Sequence, residues 1–223
     1  MVRAATTEAV GALGLRERKK RRTRQTIIDV ALKLFAERGY AETTLSEIAE
    51  AADISPSTFF NYFPAKDAIV FALTDQLVES ARERVAKRPD DEPTAEAIVS
   101  WITDDLAEIE RPYTEVIRLI PGIVTSDPGL VEGERLRLAR IEDAFAEGFA
   151  REFGEPIDGM RARVMGVIAL RGLVDVWGLW YQRHFADPEF DLASLLALKA
   201  EYVGEALEAG LAVVGALPDP RPS

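Results

Sequence analysis

Apolar residues recur along this chain at helical spacing, and no segment shows the period-two alternation of a strand. Ile27, Val30, Ala31, Leu34 and Phe35 fall at i, i+3, i+4, i+7 and i+8, one apolar stripe of a helix entered near Thr23. Arg38 in its last turn and Gly39 just beyond it mark the stop. Thr44 followed three positions later by Glu47 predicts a capping box ahead of Leu45, Ile48 and Ala49. This second helix must be short, because Asp53 follows and Ser55-Pro56 already signals the next start. Ser55 suits the N-cap, and Pro56 suits the first helical position, where a missing N–H costs nothing. Pro64 closes the third helix, and Lys66 opens a longer one expected to reach about Lys87.

Proline, glycine and acid punctuate the rest. The pattern predicts a helix from Thr94 to Glu110 and another from Pro112 to Thr125, broken at Pro121-Gly122. A charged amphipathic helix to Phe153 and two long helices, 158–185 and 191–215, follow. The expected fold is all-α: an N-terminal three-helix unit with helix-turn-helix spacing, followed by a larger all-helical domain. Four segments result: a flexible basic arm (1–22), a helix-turn-helix domain (23–66), an effector-binding and dimerisation domain (67–217) and a disordered tail (218–223).

The 223 residues include no cysteine and one histidine, His184. Disulfides, thiolate nucleophiles and cysteine-ligated zinc are excluded, and one imidazole leaves no His-pair metal motif. No stretch reaches the ~18 apolar residues of a membrane span. The apolar run at 10–15 precedes Arg16 rather than following it, the wrong order for a secretory signal, so the expected location is cytoplasmic. The net charge of −11 argues at first against a nucleic-acid partner. Its distribution reverses that: residues 1–66 hold 11 basic and 8 acidic side chains, a balance of +3, and the remainder 16 and 30, a balance of −14.

A helical wheel puts Pro56, Phe59, Phe60 and Phe63 on the side of the third helix that must face the first two. Ser57, Thr58 and Asn61 lie opposite, with Tyr62 at the edge. These are hydrogen-bonding groups suited to a major groove, where Asn61 can pair bidentately with adenine and the Thr58 methyl can meet a thymine methyl. Thr44 and Lys66 stand at helix N-termini, which attract phosphate. Arg16, Arg18, Lys19, Lys20, Arg21, Arg22 and Arg24 add a cationic arm able to follow phosphates or enter the minor groove. A protein-interaction adaptor is the alternative reading of the same three-helix unit.

Residues 23–70 resemble the N-terminal domain of TetR-family transcriptional regulators. Phe35, Gly39-Tyr40, Thr43-Thr44, Ile48-Ala49, the Asp53-Ile54-Ser55 turn and the run Thr58-Phe59-Phe60-Asn61-Tyr62-Phe63-Pro64-Ala65-Lys66 carry the resemblance. It implies a two-fold dimer on a palindromic operator, with a divergent helical C-terminal domain for dimerisation and inducer binding. By position it implies DNA contacts from Thr44, Ser55, Ser57, Thr58, Phe60, Asn61, Tyr62 and Lys66. Phe60 departs from the tyrosine common in the family, and with it goes a phosphate-reaching hydroxyl.

The C-terminal half is less explicit. The helix through residues 164–181 is apolar nearly all round except for Arg171, Asp175, Gly178 and Gln182. Arg171 and Asp175 form either a structural ion pair or the polar end of a ligand site. Trp177, Trp101, Phe145 and Phe149 are core residues or pocket lining, and Arg118 lies beside the Pro121-Gly122 interruption, where a helix can deform. Gly166, Gly172, Gly178, Ala200, Gly204, Ala206 and Gly210 predict close helix packing, read as a homodimer through the last two helices. This half also resembles, through Glu134-Arg135-Leu136-Arg137-Leu138 and the aromatics at 177–181, a subgroup of these regulators with acyl-CoA-like ligands. That resemblance implies an anionic head group at Arg118 or Arg171. A small all-α enzyme with Asp175 as base is a further alternative, although nothing supplies a nucleophile, metal cluster or phosphate loop. No cofactor is implied.

Overall fold

In the computed structural model the first helix, α1, runs Val2–Arg38 and contains the whole segment expected as an arm. Its start falls well before Thr23 because residues 2–22 are rich in Ala, Leu, Arg and Lys, all good helix formers, and contain no proline. The structure describes residues 2–184 and 192–216, with side chains from Gly14 onward except at 114, 115, 177, 179–184 and 192. The tail expected at 218–223 and the turn between the last two helices lie outside these residues. All regular elements among them are helices.

The chain forms two units, Met1–Ala72 with Glu115–Val131, and Leu73–Thr114 with Glu132–Ser223. The first therefore extends past the boundary at 66 and takes in a later segment. It holds α1, α2 (Leu45–Ala51), α3 (Pro56–Phe59) and α4 (Asp67–Val70), with α9 (Ile120–Thr125) packed on α1 and α4. Its core is Ile27, Ile28, Ala31, Leu32, Phe35, Ile48, Ala49, Phe59 and Phe63. The buried stripe of α1 is thus rotated from the expected one: Ile28 and Leu32 are inside, and Val30 and Leu34 lie at the margin.

The second unit contains α5 (Ala72–Ala86) from Leu73 onward, α6 (Thr94–Ser100), a π-helical turn at Trp101–Leu106 and α7 (Ala107–Glu110). Most of α10 (Pro128–Phe153), α11 (Met160–His184) and α12 (Leu192–Gly215) complete it. Val78, Ile98, Trp101, Ile102, Phe145, Phe149, Met165, Val203 and Leu207 form its core.

Two expected helices are divided. The one from Lys66 is interrupted at Phe71, and the break expected at Pro121-Gly122 falls at Arg118-Leu119, between α8 (Thr114–Ile117) and α9. Pro121 sits in the first turn of α9, where its missing N–H removes no hydrogen bond, so it starts a helix instead of breaking one.

Candidate functional site

The third helix is built on a cap and a plug. Ser55 Oγ accepts from the Thr58 N–H at 3.1 Å and bonds the Ser57 and Thr58 hydroxyls at 2.9 and 2.7 Å. Phe59 and Phe63 are buried with ring centroids 6.0 Å apart, and Arg24 lies 4.9 Å over the Phe63 ring. Pro56, Ser57 and Asn61 are exposed, and Thr58 and Tyr62 half-buried. Phe60 is 54% exposed, contrary to its place on the wheel. The regular helix ends at Phe59, and the Asn61 and Tyr62 N–H groups bond three residues back, to Thr58 and Phe59. That tighter winding turns Phe60 away from the plug.

The anchors sit on a cap and a turn. Thr44 caps α2 by accepting from the Glu47 N–H at 3.2 Å, while the Glu47 carboxylate accepts from the Thr44 N–H at 2.8 Å and its hydroxyl at 2.7 Å. These hydrogen bonds, from the Thr44 backbone first, hold the Glu47 carboxyl below its ordinary range. The Thr44 hydroxyl and backbone N–H are thus both engaged by Glu47, as the expected capping box requires, and Arg38 lies 3.2 Å from the same carboxylate.

Lys66 Nζ donates to the carbonyls of Tyr40, Thr43 and Ala41 at 2.5, 3.0 and 3.3 Å, and sits 4.2 Å from the centroid of the Tyr40 ring. Three acceptors satisfy an ammonium, so Lys66 clamps the turn that leads into Thr44; it does not stand free for phosphate. Thr43, which is buried, closes the other side of that turn by donating to Gly39 O at 2.8 Å.

Of the basic segment, Arg18, Lys19, Lys20, Arg21 and Arg22 are exposed along α1, whereas Arg24 is committed to Phe63.

The ligand candidates belong to different units. Arg118 is exposed and belongs to the first unit. Trp101, Phe145 and Phe149 lie in the core of the second, where Trp101 meets Phe145 edge-to-face at 5.7 Å and donates to Ser80 Oγ at 3.0 Å. Arg171 and Asp175 form a bidentate ion pair at 2.8 and 2.7 Å with the arginine side chain 72% exposed. The Trp177 side chain lies outside the described residues. The charged residues at 134–138 are engaged by other side chains: Arg135 with Glu132 on its own helix, Arg137 with Asp75 of α5, and Glu134 with the Thr74 hydroxyl of α5. Three of the small residues read as a dimer seam instead make close contacts within the chain. A Cβ at Gly166 would lie 2.8 Å from Glu142 O, one at Gly172 3.0 Å from Val203, and one at Gly210 2.8 Å from Ile168.

Sequence reasoning did not foresee the pairing of Arg38 with Glu47, the closure of the turn by Thr43, or a buried ion pair in the second unit, Glu110 with Lys199 at 3.6 Å. The signal for Lys199 was a lone cation in the apolar run of α12, one turn after Leu195 and one before Val203.

Residues 27–73 match the profile described as "Bacterial regulatory proteins, tetR family". Over 183 residues the chain is 31% identical to the HTH-type transcriptional regulator TcmR of Streptomyces glaucescens, spanning 79% of this chain and 80% of that protein. It is 27% identical over 196 residues to the HTH-type transcriptional regulator BetI of Burkholderia cenocepacia strain HI2424, spanning 86% and 95%. Among solved structures, the transcriptional regulator FadR from Bacillus subtilis, in complex with stearoyl-CoA, shares the fold. The TM-score is 0.55 at 21% identity, over 83% of this chain and 97% of that one. The capped helix-turn-helix head, the helical second unit and these likenesses agree: the chain belongs to the tetR family of bacterial regulatory proteins and is a transcriptional regulator, not an enzyme.

Proposed function

We propose that this regulator is a cytoplasmic homodimeric repressor that places α3 in the major groove of a palindromic operator and is released by a small apolar or acyl-type ligand. The observation that carries the DNA reading is the polar face of exposed Ser57 and Asn61 with half-buried Thr58 and Tyr62, above the Phe59–Phe63 plug and oriented by the Ser55 cap. Asn61 reads adenine, Ser55 and Ser57 supply hydroxyls, and the exposed Phe60 ring meets a thymine methyl in place of a tyrosine hydroxyl on phosphate. Thr44 and Lys66 act on the backbone contacts, Lys66 by holding the turn before α2. The exposed cations Arg18, Lys19, Lys20, Arg21 and Arg22 follow the phosphates or enter the minor groove.

Dimerisation is supported by apolar groups left on the last two helices. Met160, Val164 and Val167 stand at i, i+4 and i+7 on α11, and Tyr202 and Val213 are exposed on α12. Packing both helices against their symmetry mates makes a four-helix seam. For the effector, the buried aromatics Trp101, Phe145 and Phe149 suit an apolar body, and the stearoyl-CoA held by a protein of the same fold supports an acyl-type ligand. Release is a population shift, so the ligand must favour the non-binding state by several kcal/mol; equal affinity shifts nothing.

The test is duplex binding titrated against salt and candidate ligands. Asn61→Ala lowers discrimination at one base position and Lys66→Ala weakens all sequences alike; equal loss on every sequence in both variants removes the base-reading role of Asn61.

A further inference from the structure

Deep in the second unit, α7 and the π-turn pack on α12 and bring together Glu110 and Lys199. Both side chains are almost wholly buried, with Leu106 and Tyr113 one turn either side of Glu110 and Leu195 and Val203 one turn either side of Lys199, all four of them buried too. One carboxylate oxygen of Glu110 lies 3.6 Å from the ammonium. The other, Oε2, accepts from no donor among the described residues. Burial pushes the Glu110 carboxyl up and the Lys199 ammonium down, and their mutual attraction opposes both shifts. A carboxylate oxygen left without a donor in such a place is costly, and natural proteins keep few of them. The π-turn Trp101–Leu106 lies just before α7, and π-turns concentrate at functional sites.

We propose that Glu110 and Lys199 are the polar anchor of the effector site, and that the effector is an uncharged, largely apolar molecule carrying an alcohol or phenol hydroxyl that donates to Glu110 Oε2. This rests on the ligand-responsive reading above and takes its small apolar ligand, not the acyl-CoA type, giving it a neutral hydroxyl as its polar end. An ionised carboxylate or phosphate has no proton to give and would meet a carboxylate. A cationic donor would add a third charge to a buried site, where the desolvation cost of each ion is several kcal/mol. A hydroxyl meets the unfilled demand without changing the charge. The buried Leu106, Tyr113, Leu195 and Val203 set an apolar frame for the rest of the molecule.

The experiment is calorimetric titration of the full-length protein with matched probes: 2-naphthol against 2-methoxynaphthalene, and 1-decanol against 1-methoxydecane. The hydroxyl member of at least one pair is expected to bind about tenfold or more tighter than its methyl ether, the worth of one buried hydrogen bond. The double variant Glu110→Leu/Lys199→Leu, which removes both charges together and so leaves neither stranded, is expected to bind the two members alike. Equal binding within both pairs, or binding of neither member of either pair, overturns the anchor, as does a preference that survives in the double variant. The wild-type comparison decides even if the variant does not fold. Duplex DNA binding is measured on the same samples: no binding by the wild type sinks the proposed ligand-responsive repressor, whereas binding with no hydroxyl preference sinks the anchor alone.

Discussion

Single residues set the head through backbone geometry and caps. Gly39 at the end of α1 has φ +94° and Asp53 in the turn between α2 and α3 has φ +54°, both in the left-handed region. Gly39→Ala meets no neighbouring atom, so its cost is conformational, about 1–2 kcal/mol in urea unfolding. Asp53→Val costs a similar amount, and Asp53→Gly does not destabilise. Glu47 has a carboxyl held below its unfolded value, so its contribution is present above the ordinary glutamate range and is lost as pH falls through the lowered folded-state value. Glu47→Gln is therefore expected to flatten the acid limb of the stability profile relative to wild type. The caps at Thr44 and Ser55 were legible because a capping box and an N-cap are written within four residues. The clamp at Lys66 was not, because its acceptors lie 23 to 26 residues away. The Glu110–Lys199 pair joins helices still farther apart in sequence.

Elements were legible where apolar period and caps agreed, and the misreadings have local causes. A wheel of constant pitch put Phe60 inside, whereas the chain tightens after Phe59 and exposes it. Proline was read as a break at 121, where it opens α9. The glycines of α11 and α12 do mark close approach, but much of it is within the chain. Gly166→Ala drives a methyl into a backbone carbonyl of α10 and is expected to cost about 1–3 kcal/mol by thermal unfolding. Gly178, with open space around its Cβ position, is the internal contrast: its alanine variant should hold or gain stability, by up to about 1 kcal/mol of helix propensity. A large loss at Gly178 would mean that its surroundings in solution are filled by another chain.

At the scale of the whole molecule, the charge of −11 divides into a modestly basic head and an acidic remainder. The acidic part repels phosphate, which accords with the proposed placement of DNA on the head. Replacing Arg18, Lys19 and Lys20 by serine should lower the slope of log affinity against log salt by about 0.9 for each phosphate that is no longer neutralised, without changing the preferred sequence. Val164→Glu with Val167→Lys places charge on the exposed apolar stripe of α11, and sedimentation should show a shift from dimer to monomer with weakened operator binding. The central claim is that two copies of α3 read an inverted repeat, and selection of duplexes from a random pool by the purified protein tests it most directly. The expected result is recovery of an inverted repeat with half-site centres about one helical turn, or a multiple of it, apart, with one base position per half-site relaxed in Asn61→Ala. Recovery of duplexes with no common repeat, at salt where the protein is folded, would contradict it.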